Sequence, residues 1–166
     1  KILGDYKNYS SDKTIDFKPK FGDGSLYEHH TTSMVFNDPP NHTRVRRLLT
    51  PFFTPRTLKA LESNMADMID ELVDEVEEKE NIDLVADFAI AIPLTLIGDM
   101  LGIPGDEREP LRAWATIILG ALEPALSQEQ LDIGNRAVED FKAYLKDLII
   151  WKRSRLAKRE GTDILS

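Results

Sequence analysis

His42 and Arg46 stand four residues apart, and their chemistry is the easiest to name in this sequence. An imidazole and a guanidinium one helical turn apart can grip a carboxylate through charge-assisted hydrogen bonds. They lie in Asp38-Pro-Pro-Asn-His-Thr-Arg-Val-Arg-Arg-Leu-Leu-Thr50. Between Asp38 and Glu62 there are four Arg, one Lys and one His, and no acid. The whole 166-residue chain carries a net charge of −8, so the sign is reversed locally.

The element that must position this pair is a short helix. Asp38 is a good N-cap, and Pro39 and Pro40 sit where a missing N–H costs nothing. Pro51 disfavours helical geometry at Thr50, which predicts an end near Leu49. At about 100° per residue, His42 and Arg46 lie about 40° apart, beside Val45 and Leu49. Arg44 and Arg47 fall on the far side. A cation bordering an apolar stripe needs a partner, because burying an unpaired charge costs several kcal/mol. Either an Asp or Glu elsewhere in the chain or the carboxylates of a bound cofactor would serve.

With Phe53-Thr-Pro-Arg56 after it, this segment resembles the C helix of soluble bacterial cytochromes P450, approximately D-P-P-x-H-T-R-x-R-R-L-V and then A-F-T-P-R. The departure is Pro51-Phe52, in place of a helix-friendly residue and Ala. The resemblance implies that His42 and Arg46 bind the haem propionates. It also implies a haem cofactor whose iron is held by a Cys thiolate. This chain contains no cysteine, which excludes disulfides, zinc–thiolate sites and a Cys nucleophile within it. The chain does not begin with Met and stops at Thr162-Asp-Ile-Leu-Ser166. It therefore reads as residues 1–166 of a longer single P450 domain, from before the B helix through the G helix, with the Cys-bearing part elsewhere.

Composition agrees with an ordinary globular protein, 42% apolar and 30% charged. A pI near 4.9 argues against a nucleic-acid binder and suits a cytoplasmic protein. No apolar run is long enough to span a membrane. The fold class expected is mainly α, an incomplete P450-like helical fold with little β.

In chain order, Ile2-Leu3-Gly4-Asp5 and Tyr9-Ser10-Ser11 resemble the family's run into the B helix. Phe17 to Asn37, with Pro19, Gly22 and Gly24, reads as a loop. By resemblance it is the B–C loop over the substrate, with Thr32, Ser33, Met34 and Val35 at its pocket-facing end. His29-His30 is not assigned to a metal. Adjacent side chains of an extended segment point opposite ways, and only Glu28 stands nearby as an acid. Thr54 caps a helix of about 24 residues whose buried stripe runs from Leu58 to Val76. The acids on its other faces, Asp67 to Glu78, read as a solvated surface.

Asp83 caps the next helix, 84–101, which is apolar on nearly all sides, is predicted to kink at Pro93 and is expected mid-protein. Gly102 stops it. Asp106 and Glu109 form a capping box for a helix to about Leu122, with Leu111, Trp114, Ala115, Ile118 and Leu122 facing inward. Glu109-Pro-Leu-Arg112 matches the family's E-x-x-R, but the family motif lies far downstream and the match is rejected. Ser127 and Gln130 box a last helix to about Lys158, weakened near its start by Gly134. By resemblance these two helices are F and G, a substrate lid, with Ile117, Ile118 and Leu119 near the substrate.

The resemblance thus implies a haem-thiolate monooxygenase that inserts one oxygen atom from O2 into a small organic substrate. The chain would supply propionate-binding and lid elements and be inactive alone. Arg44 and Arg47 would face an acidic ferredoxin or flavodoxin. The alternative is a P450-derived helical scaffold or partner-binding module without haem.

Overall fold

The computed structural model describes residues 4–156. Ile2, Leu3, Lys158, Arg159 and the run 162–166 lie outside the described residues. Within them the chain is helical, with no strand. The elements are α1 (Thr14–Phe21), α2 (Ser25–Thr32), α3 (Asn41–Leu49), α4 (Pro55–Glu77), α5 (Ala91–Leu101), α6 (Arg108–Gly120) and α7 (Gln128–Leu156). The expectation of five helices beyond Asp38 corresponds to α3 to α7. No helix among the described residues is long and apolar enough to cross a membrane.

Two compact units are distinguished, one from residues 4–50 with 113–150, the other from 51–112 with 151–156. In the first, the core consists of Phe21, Leu26, Ile118, Ala121, Ala137 and Val138. Phe17, Tyr27, Trp114, Leu131 and Phe141 pack around it. The loop expected over 17–37 is therefore corrected: α1 and α2 occupy most of it, and a 3-10 turn, Met34–Phe36, follows. The apolar spacing Phe17–Phe21 and Leu26–His30 is helical, and burial of these residues outweighs the breakers. Gly22, at φ +61°, serves as the break between the two helices.

The second unit contains α4, α5 and a π-helical turn, Leu84–Ala89, with α5 and the turn packed against α4. Thr54 caps α4, its Oγ1 accepting from the Thr57 N–H at 3.2 Å. Asp83 caps as expected, accepting from the Val85 N–H at 3.0 Å, while the Asp87 carboxylate takes the Asp83 N–H at 2.8 Å. The run 84–101 is not one continuous α-helix. It breaks at Ile90, whose N–H reaches back five residues to the Val85 carbonyl. A proline ring clashes with the carbonyl four residues earlier, so Pro93 fits only in the first turn of a new helix. The segment is also less buried than expected: Leu84 is 66% exposed and Ile97 55%.

Gly102 ends α5 in the left-handed region at φ 62°. The Gly102 N–H bonds the Asp99 carbonyl at 2.9 Å and the Ile103 N–H the Gly98 carbonyl at 2.8 Å, and Ile103 is buried beneath. The Asp106 side chain lies outside the described ones, and a 3-10 turn, Gly105–Glu107, precedes α6. On α6 Leu111 and Ile118 are buried, whereas Ala115 is exposed; Ala121, just past its end, is buried. The box at the start of α7 forms as expected, Ser127 N–H to Gln130 Oε1 at 2.8 Å and Gln130 N–H to Ser127 Oγ at 3.2 Å.

Candidate functional site: the cations of α3

The site begins with how α3 starts. The His42 N–H bonds the Asp38 carbonyl at 3.0 Å, and the Arg44 N–H the Pro40 carbonyl at 3.0 Å. The Asp38 side chain does not cap this helix, which corrects the sequence expectation. Its carboxylate accepts instead from the Ser10 hydroxyl and, at 2.9 Å, from the Ser11 N–H. Those two donors hold its pKa below the usual carboxylate range, with a smaller contribution from the nearby His42. Asp38 thus ties the start of the chain to α3. The ends of α2 and α3 are joined by amides. Asn37 Nδ2 donates to the Thr31 and Ser33 carbonyls at 2.9 and 2.6 Å, and Asn41 Nδ2 donates to Asn37 Oδ1 at 2.8 Å.

On α3 the half-buried residues include His42, Val45 and Leu49, the side read from the helical wheel. Arg46 shares that side but its side chain is exposed. Among the described residues, the Arg46 and Arg47 guanidiniums have no hydrogen bond or ion pair. Arg44 is held, donating through Nη2 to Asn41 Oδ1 at 2.9 Å. The helix ends at Leu49 as expected, but Thr50 keeps helical angles (φ −51°, ψ −39°) ahead of Pro51. The chain tightens there into a 3-10 turn, Thr50–Phe53, and the Thr50 hydroxyl donates to the Arg46 carbonyl at 2.8 Å.

The chemistry of this donor set is specific. An imidazole and an uncommitted guanidinium, one turn apart beside an apolar stripe, fit a pair of carboxylates on an otherwise apolar molecule. Haem propionates are such a pair. A thiolate ligand for a haem iron could not come from these 166 residues, which hold no cysteine. No group of three or more metal-ligating side chains occurs among the described residues.

The remaining candidates are less concentrated. Thr32 ends α2, and its hydroxyl donates to the Glu28 carbonyl at 2.7 Å. Met34 is half-buried and Val35 is 67% exposed, both on the turn after α2. Ile118 does not join them. It is 3% exposed within the core of the first unit, so its side chain is taken up by packing. Ile117 instead lines a pocket of about 340 Å³ with Leu126, Gln130 and Ile133. Leu119 is exposed.

Three features escaped the sequence reading. Arg108, at the start of α6, donates to the Ile103 carbonyl (2.8 and 3.1 Å), the Thr95 carbonyl (3.3 Å) and Asp99 Oδ1 (2.6 Å). Asn135 of α7 accepts from the Leu26 N–H at 2.9 Å and so caps α2 from another helix. His30, on helical rather than extended backbone, is 2% exposed and packs among Phe17, Phe21, Phe36 and His29. Its Nε2 has no hydrogen-bond partner among the described residues. Burial, then His29 and Lys20, push its pKa down to about 4. Only the i,i+4 spacing of Phe17–Phe21 and Leu26–His30 signalled that box.

Among known proteins, cytochrome P450 CYP107DY1 of Priestia megaterium is 37% identical over 122 residues, which is 74% of this chain and 29% of the relative. The biotin biosynthesis cytochrome P450 of Bacillus subtilis is 30% identical over 132 residues, 80% of this chain and 33% of the relative. The CalO2 crystal structure superimposes with a TM-score of 0.85 at 25% identity, covering 99% of this chain and 40% of that one. The chain belongs to the cytochrome P450 family. P450BioI, solved with a fatty-acid-ligated acyl carrier protein, shares the fold at TM-score 0.81 and 24% identity, covering 96% of this chain and 40% of that one. No family model matches the chain. It spans about a third of the length of these curated P450 relatives.

Proposed function

We propose that this chain is the part of a bacterial haem-thiolate monooxygenase that holds the haem propionates and covers the substrate. The whole protein would insert one oxygen atom from O2 into a small organic molecule. The observation that carries the reading is the Arg46 guanidinium, which has no hydrogen bond or ion pair among the described residues and stands one turn from His42. A scaffold has no use for such a pair beside its apolar stripe.

When bound, haem supplies the iron that activates O2, held by a cysteine thiolate. Since these residues contain no cysteine, the chain alone is expected to be inactive. Its own residues bind and orient. His42 and Arg46 would hold the propionates through charge-assisted hydrogen bonds. Arg44, oriented by Asn41, and the outward Arg47 attract an acidic ferredoxin or flavodoxin. Thr32, Met34 and Val35 line the substrate side of the segment after α2, and α6 and α7 form the lid. A cytoplasmic location fits the acidic composition.

The test is the absorption spectrum of the complete protein, reduced and exposed to carbon monoxide. The shifted Soret band of a thiolate-ligated haem is the expected result. Absence of any haem absorption would favour the alternative, a P450-derived helical scaffold.

A further inference from the structure

Two carboxamides stand in series between α2 and α3. Asn37 Nδ2 donates to the Thr31 and Ser33 carbonyls at 2.9 and 2.6 Å. Asn41 Nδ2 donates to Asn37 Oδ1 at 2.8 Å, and Arg44 Nη2 donates to Asn41 Oδ1 at 2.9 Å. The two ends fix the direction of this chain. A carbonyl only accepts and a guanidinium only donates, so turning either amide over sets acceptor against acceptor or donor against donor. The Thr31 carbonyl is one of the last four of α2, which a helix leaves unpaired. Both asparagines are half-buried. The turn Met34–Phe36 lies within the loop that Asn37 closes. Phe36 anchors its apolar side, with ring centroids 5.1 Å from Phe17 and 6.0 Å from His30. Its own backbone bonds are modest, Phe36 N–H to the Ser33 carbonyl at 3.1 Å and Asn37 N–H to the Met34 carbonyl at 3.4 Å.

We infer that Asn37 and Asn41 are positioning residues, which in series seat the turn carrying Met34 and Val35 on the first turn of the helix that carries His42. What this does for ligands rests on the reading of Met34 and Val35 as the substrate side. The turn and α3 then keep one register, and the space beside a bound cofactor depends on two amides whose own partners are protein groups.

Aspartate is the discriminating substitution, because it keeps the shape and removes only the donors. Asn37→Asp still accepts from Asn41 but sets a carboxylate against two carbonyls. Asn41→Asp still accepts from Arg44, as an ion pair, but has nothing to give Asn37. Asn41 is also the first residue of α3, where an acid favours the helix. If Asn41 serves α3 alone, Asn41→Asp is harmless; if it seats the turn, the turn loosens.

The test uses the complete haem protein in two measurements. The first is amide hydrogen exchange over residues 33–37. Exchange about tenfold faster in both variants is expected, the scale of one lost hydrogen bond, with exchange in α4 unchanged. An unchanged rate in Asn37→Asp overturns the inference, and an unchanged rate in Asn41→Asp overturns the series. Faster exchange in α4 as well would mean general loosening and also overturns it.

The second compares imidazole with 4-phenylimidazole, each titrated by its Soret shift. The ratio of the two Kd values should change by more than about threefold in both asparagine variants and in Met34→Ala. A ratio that changes in Met34→Ala but in neither asparagine variant overturns the claimed effect on ligands. A ratio unmoved by Met34→Ala contradicts the substrate-side reading alone, and a protein without an azole spectrum contradicts the monooxygenase reading alone. In both cases the exchange rates still decide the positioning claim.

Discussion

Arg108 and Arg46 each sit on a helix beside an apolar surface, yet their surroundings are opposite. Arg108 spends its guanidinium on the end of α5, on the Ile103 and Thr95 carbonyls and the Asp99 carboxylate. Gly98 leaves room for it: a Cβ there would lie 2.6 Å from its Nε. Arg46 has no such arrangement among the described residues. The difference separates a cation that serves the fold from one that, on our proposal, is kept for a haem propionate. A fold-serving arginine saturates its donors within its own chain, since each buried carbonyl left unpaired costs about 1–3 kcal/mol. A ligand-serving arginine keeps them open.

Breaking the Arg108 side gives the largest expected effect. Arg108→Ala strips the Ile103 carbonyl of both its side-chain donors and unpairs Asp99, and should lower the unfolding free energy by about 3 kcal/mol, read from urea midpoints. Arg108→Lys keeps the charge but loses the fork, and should recover only part of it.

His30 sharpens the comparison from a third direction, being buried without a partner and therefore neutral. Its pKa falls from the ordinary 6.5 in the unfolded chain to about 4 in the folded one. Between those values the unfolded state binds more protons. The stability is thus fully present above pH 6.5 and is lost as pH falls towards 4, by up to about 3 kcal/mol. His29 and Lys20 add positive charge around it. His30→Phe should remove this part of the acid sensitivity, measured as the difference between urea midpoints at pH 7 and pH 4.5. An unchanged difference would contradict the assignment.

Gly98→Ala comes next. The added Cβ pushes on a guanidinium that cannot yield without breaking its hydrogen bonds, and should cost about 1–2 kcal/mol in thermal unfolding despite alanine's better helix propensity. Arg46→Ala should change unfolding by less than about 0.5 kcal/mol, because its exposed side chain makes no hydrogen bond or ion pair among the described residues. An effect as large as that of Arg108→Ala would erase the distinction between the two arginines.

Much of this was legible in the sequence because it depends on neighbours along the chain. The caps at Thr54, Asp83 and Ser127, the stop at Gly102 and the wheel of α3 follow from spacing alone. What escaped depends on distant residues. Asp38 had a good cap sequence, but Ser10 and Ser11, far back in the chain, claimed its carboxylate. Gly24 read as a loop residue and Gly134 as a weak point of its helix, yet they are where α2 and α7 come close. Ile118 read both as an inward-facing residue of its helix and as one near the substrate, and it lies in the core of the first unit. Arg108 was invisible because its partners are carbonyls, which every residue carries.

The central claim is that Arg46 holds something other than protein. Haem loss from the complete protein, followed by transfer to excess apomyoglobin, tests it most directly. Arg46→Ala should lose haem about tenfold faster while unfolding as the wild type does, the loss expected of one charge-assisted hydrogen bond. Haem loss at the wild-type rate would contradict the claim.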